Sequence, residues 1–95
     1  MRQYEVTYIV HPDLDETAFG EINERIQGWI AEAGGNVVKV DLWGKRKLAY
    51  EIRKQTEGQY VLLETEMSPE FCVELERNLR LLEPVMRFLI IAKEE

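Results

Sequence analysis

Ninety-five residues, 45% apolar and 32% charged, are enough for one core and describe a globular, surface-rich chain, not a disordered one. The net charge of −6 argues at first sight against a nucleic-acid partner, and no apolar run approaches the roughly 20 residues of a membrane span. A single cysteine, Cys72, excludes an internal disulfide and points to a reducing compartment.

Arg2 to Val10 alternates, with Tyr4, Val6, Tyr8 and Val10 on one face and Gln3, Glu5, Thr7 and Ile9 on the other, as a strand does. Met1 to Glu5 lacks an apolar stretch with a small-residue cleavage site, so no secretory signal is expected and the cytoplasm is the expected location. His11-Pro12-Asp13 breaks the strand, and Asp13, three residues before Glu16, predicts a helix start. Phe19, Ile22, Ile26, Ile30 and Ala33 make its apolar stripe, and Gly34-Gly35 ends it. Asn36 to Arg53 is long for one strand, with Gly44 predicted to mark a bulge or bend. Gln55 to Gly58 reads as the hairpin loop, and Gln59 to Met67 as the returning strand. Ser68-Pro69 starts a second helix with the stripe Phe71 or Cys72, Leu75, Leu79 and Leu82; Glu83-Pro84 stops it. Val85 to Ala92 is the last strand.

The order is strand-helix-strand-strand-helix-strand in one α+β domain over residues 1–95. Right-handed crossovers then require a four-stranded antiparallel sheet of order 4-1-3-2 with both helices on one face. The covered face takes Val6, Tyr8, Val61, Leu63, Phe88 and Ile90 against Ile22, Ile26, Leu75 and Leu79. On the open face this register places Ile9, Tyr60, Leu62, Leu89 and Ile91, where an isolated protein usually keeps polar residues. Five such residues predict a partner surface.

Chemistry is sparse. His11 is the only histidine and sits in a strand-end turn, so no metal-ligand spacing exists. Cys72 lies on or beside an apolar stripe, which favours a buried thiol over a nucleophile. Asp13, Asp15 and Glu16 gather where a helix dipole favours carboxylates regardless of function. No glycine-rich phosphate loop opens a helix. The chain is not expected to be an enzyme, and no catalytic residue, cofactor or metal is assigned.

Charge is segregated, however. From Lys39 to Lys54, six basic residues face two acidic ones, a balance of +4; elsewhere six basic face sixteen acidic, −10. Lys45-Arg46-Lys47 repel one another unless an anion is near. The cluster suits either a solvated turn or, with Trp43 before it and Tyr50 after it, an RNA site; Trp43 suits a hydrophobic anchor equally well.

Trp43-Gly44-Lys45-Arg46-Lys47-Leu48-Ala49-Tyr50-Glu51-Ile52, with Met1 to Glu5, His11-Pro12-Asp13, Gly58 to Leu62, Leu79-Arg80-Leu81 and Pro84 to Arg87, resembles the family of the sixth protein of the bacterial small ribosomal subunit across the whole chain. The resemblance departs at Glu51, where many members carry proline, and at Lys93-Glu94-Glu95, beyond which some members continue into an acidic tail. It implies a ferredoxin-like fold and a structural role. It also implies binding to the central domain of small-subunit ribosomal RNA beside the eighteenth small-subunit protein, by a chain that is monomeric when isolated and has no membrane partner. Carried over, the expected RNA contacts are Arg2, Tyr4, Lys45, Arg46, Lys47, Arg80 and Arg87. The expected protein-partner surface is Ile9, Tyr60, Leu62, Leu89 and Ile91. Two competing readings are an RNA-recognition motif, for which Tyr60 is the lone suitable aromatic, and a metabolite-binding module that dimerises through its sheet.

Overall fold

The computed structural model describes residues 1–93, and Glu94 and Glu95 lie outside them. Six elements appear in the expected order: β1 (Arg2–Val10), α1 (Glu16–Glu32), β2 (Asn36–Ile52), β3 (Gln55–Met67), α2 (Pro69–Leu81) and β4 (Val85–Ala92). All strand pairs are antiparallel in the order β2-β3-β1-β4, the expected order read from the other edge. The period-2 pattern of β1 decides which face is covered: Tyr4, Val6, Tyr8 and Val10 are buried. Val6 pairs with Leu63 and Ile90, and Tyr8 with Val61 and Phe88, making the sheet side of the core. Ile26 and Ile30 of α1 and Phe71, Leu75 and Leu79 of α2 close over it.

The helix ends follow local chemistry. Asp15, not Asp13, caps α1, accepting from the Ala18 amide at 2.8 Å. Asp13 is drawn instead into a turn after β1, in which its own amide donates to His11 Nδ1. At the other end Gly34 takes φ +85°, and the amides of Gly34 and Gly35 donate back to Ala31 and Ile30, so the left-handed residue satisfies two orphan carbonyls. Ser68 accepts from the Phe71 amide and Pro69 opens α2, as expected. No helix among the described residues is long and apolar enough to cross a membrane.

The hairpin differs from expectation. Its turn is Arg53-Lys54, both at positive φ (51° and 64°), and Ile52 pairs with Gln55 across it. Gln55 to Gly58 is therefore strand. Gly58 is glycine not for a turn but because Ile9, Met86 and Leu48 fill the space where a side chain would begin. Gly44 sits at an interruption of the β2–β3 ladder with φ +77°, where the bend was expected.

Polar side chains lie inside at Tyr8, Asn23 and Thr65. The Tyr8 hydroxyl donates to Asn23 Oδ1, and burial pushes the phenol well above its ordinary range. Thr65 is 1% exposed and its Oγ1 has no partner among the described residues. An unpaired buried hydroxyl loses its hydration without compensation. Thr65→Val is therefore expected to stabilise the protein by about 1 kcal/mol, read as a higher urea midpoint at unchanged slope; a lower midpoint would show that the hydroxyl is in fact satisfied.

Candidate nucleic-acid and protein interface

The open face is laid out by the strand register. One row across the sheet runs Gly44, Tyr60, Ile9, Arg87; the next runs Asp41, Leu62, Thr7, Leu89; a third runs Lys39, Glu64, Glu5, Ile91. The five apolar residues thus form a band from β3 over β1 to β4, in which Ile9 pairs with Tyr60 and stands diagonal to Leu89, while Thr7 separates Leu62 from Leu89. Leu89 and Ile91 are 58% and 47% exposed, while Ile9, Tyr60 and Leu62 are half-buried by their own neighbours. Trp43, at the bulge beside Gly44, extends the band, its ring stacked on Tyr60 at 6.1 Å between centroids and 9° between planes.

Cations stand at both ends of that row. The Arg46 guanidinium lies over the Trp43 ring at 5.7 Å, and its Nε donates to the Trp43 carbonyl. At the other edge Arg87 lies over Tyr50 at 5.4 Å. A guanidinium over a ring is attracted by the ring face and still has N–H donors to offer a phosphate, as Arg46 does at its two terminal nitrogens. Arg80 lies over Phe88 at 5.8 Å and donates to Glu76 at 2.8 Å. A cleft of about 480 Å³ beside β4 brings Arg80 and Arg87 together with Arg53, against the one carboxylate of Glu76.

The far end of the face is acidic. Glu64, Glu5 and Glu66 follow one another there, with Lys93 and Lys39 paired to Glu64 at 2.5 and 4.0 Å. The hydrogen bond from Lys93 holds the Glu64 carboxyl below its ordinary value and raises the lysine. Lys39 and Lys93 offset much of the charge of these three carboxylates, so this end offers an anionic polymer less attraction than the end that carries Arg46 and Arg87.

The remaining expected contacts are dispersed. Lys45, Arg46 and Lys47 are all exposed, but alternation turns Arg46 toward the open face, and Lys45 and Lys47 to the opposite one. Arg2 is exposed at the start of β1, seven residues from the Ile9–Arg87 pair, about 23 Å along a strand. The placement of Tyr4 is corrected. It is 7% exposed and faces the helices, and its phenol is raised by a hydrogen bond with Cys72 and by burial. The same even-numbered alternation that buries Val6 and Tyr8 buries Tyr4, so its ring is a core element and not a surface contact. Burial likewise pushes the Cys72 thiol up, away from the reactive thiolate. Arg53 was not among the expected contacts, although the adjacent cations Arg53 and Lys54 mark where it lies.

A family model described as Ribosomal protein S6 matches residues 3–92. The chain belongs to the ribosomal protein S6 family. The small ribosomal subunit protein bS6 of Carboxydothermus hydrogenoformans is 45% identical over 95 residues, covering 100% of this chain and 99% of that one. The bS6 protein of Clostridium botulinum is 46% identical over 94 residues, covering 99% and 100%. The crystal structure of 30S ribosomal protein S6 from Thermotoga maritima superposes with a TM-score of 0.92 at 31% identity, over 97% of this chain and 87% of that one. Family membership makes the chain a structural, non-enzymatic part of the bacterial small ribosomal subunit, and so of the cytoplasmic translation machinery.

Proposed function

We propose that the chain binds small-subunit ribosomal RNA, at a junction in the central domain, together with the eighteenth protein of the small subunit, which it joins as a monomer. The observation that carries this reading is the layout of the open face: an apolar band closed at each end by an arginine lying on an aromatic ring. The band of Ile9, Tyr60, Leu62, Leu89 and Ile91 serves the protein. Arg80 and Arg87 in the cleft serve RNA phosphates, with Arg46 at the other edge, and Arg2, Lys45 and Lys47 add positive charge at the margins. The total charge of −6 is no obstacle, because Lys39 to Lys54 carries a local balance of +4 and the cleft beside β4 sets three arginines against the one carboxylate of Glu76.

Each phosphate contact contributes a slope of about −0.7 to −0.9 in log K against log salt. Three contacts, from Arg46, Arg80 and Arg87, give a slope of about −2 to −3. A filter titration of a central-domain RNA fragment, with the eighteenth protein present and salt varied, measures it. Binding indifferent to salt would refute the phosphate assignment, and failure to co-sediment with small subunits at moderate salt would refute the whole reading.

A further inference from the structure

Arg87 is held by residues that belong to the opposite edge of the sheet. β2 and β4 are the two edges, separated by β3 and β1, or about 14 Å at the usual strand spacing. Yet Tyr50, from the end of β2, lies against Arg87 of β4, and Arg53 of the hairpin turn donates Nη1 to the Glu83 carbonyl at 2.7 Å and Nη2 to the Val85 carbonyl at 3.4 Å. The hairpin tip therefore crosses the end of β1 and is tied down on the far edge.

Two irregularities make this crossing possible. Between the pairs Lys47–Glu57 and Ile52–Gln55, β2 has four residues where β3 has one, and the surplus Leu48–Glu51 segment carries Tyr50 outward. In the ladder to β1, Ile9 pairs with Arg87 and Val10 with Val85, so Met86 is the extra residue of a bulge. A bulge re-aims the side chain that follows it, here Arg87, and Arg53 grips the carbonyl of the residue just before the bulge.

The turn itself is strained. A two-residue hairpin turn with positive φ at both positions favours Asn-Gly, and here it holds Arg53-Lys54. Strain of this kind persists where the surroundings over-determine it, and the two carbonyls on Arg53 supply that restraint. A lysine, with one compact ammonium, lacks the planar fork that spans both acceptors.

We infer that Arg53 and Tyr50 are positioning residues for Arg87: the hairpin tip is a clasp that presents the Arg87 guanidinium to an RNA phosphate. The inference rests on the RNA-binding reading above, and its test separates the two. Asn tolerates positive φ, so Arg53→Asn keeps the turn and removes the clasp, whereas Arg53→Lys keeps the charge and removes the fork. In the free protein, NMR is expected to show the Arg87 Nε–H signal displaced by the Tyr50 ring, and that displacement lost in Arg53→Asn, Arg53→Lys and Tyr50→Ala. With the central-domain RNA fragment and the eighteenth protein, both Arg53 variants are expected to bind about tenfold more weakly and to lower the salt slope by about 0.7–0.9, as Arg87→Ala does. In an Arg87→Ala background neither is expected to cost anything further.

An Arg87 signal unmoved by the Arg53 variants overturns the clasp, as does wild-type affinity in Arg53→Lys or full additivity with Arg87→Ala. If Arg87→Ala itself binds RNA as tightly as the wild type, the phosphate assignment of Arg87 falls, and the clasp has no function to serve.

Discussion

Gly58→Ala is expected to destabilise the fold by about 2 kcal/mol, and Gly58→Val by more, although glycine is ordinarily a poor strand residue. Gly58 is buried in β3 opposite Arg46, and its φ is not positive, so alanine meets no backbone strain there. The usual gain from Gly→Ala, about 0.4–1 kcal/mol through the unfolded chain, favours the substitution. Steric overlap opposes it. A Cβ at this position falls on Ile9 Cγ2, with Met86 Cε at 3.2 Å and Leu48 Cδ2 at 3.5 Å. Overpacking a filled site costs about 1–3 kcal/mol, so the steric term wins. For a domain of this size a loss of 2 kcal/mol lowers Tm by about 8–16 °C. The cause is separable: Ile9→Ala removes the obstructing methyl, so the double variant Gly58→Ala with Ile9→Ala should be less unstable than the sum of its parts. Strict additivity would place the cost elsewhere. Because Ile9 lies in the apolar band, Gly58→Ala should also weaken partner binding before it unfolds the protein.

Much of the fold is legible in the chain because each element carries an independent local signal. β1 alternates without exception, Ser68-Pro69 caps a helix by two mechanisms at once, and Gly34 supplies the left-handed residue that ends α1. The hairpin turn was misplaced because two glycine rules conflict. Gly58 resembles a turn glycine but answers to close approach, whereas the real turn has two cations where the usual code has Asn-Gly. At the interface, the open-face residues were readable because register follows from alternation once the covered face is known. Tyr4 was misplaced where family resemblance overrode the alternation that already grouped it with Val6 and Tyr8. Lys45-Arg46-Lys47 is contiguous in the chain, but a strand sends neighbours to opposite faces, so a basic run there is not a basic patch. The charge of Arg53 is plain in the chain, but its anchoring role is not. Its partners are backbone carbonyls about 30 positions away, and a carbonyl is present at every residue whatever its type.

Tyr60→Ala is expected to lower affinity for the protein partner about 30-fold or more, the loss of about 2 kcal/mol or more that marks a central aromatic in an interface. Tyr60 is at the middle of the band, stacked on Trp43, paired with Ile9 and two residues from Leu62 on the same face of β3. Leu89 and Ile91 are more exposed but stand on the edge strand, where water reaches them after docking, so truncating either should cost less. Loss of the stack removes about 0.5–1.5 kcal/mol from the fold, which leaves the variant folded and the binding result interpretable. The substitution removes no charge. The slope of RNA binding against salt should therefore stay as in the wild type while affinity in the presence of the partner falls. Isothermal titration with the eighteenth protein, alongside salt-varied RNA titration, reads both. If Tyr60 stacked on an unpaired base instead, as in an RNA-recognition motif, the variant would lose affinity for short single-stranded RNA with no partner present. Loss in that measurement, with partner binding intact, would transfer the apolar band from the protein to the RNA.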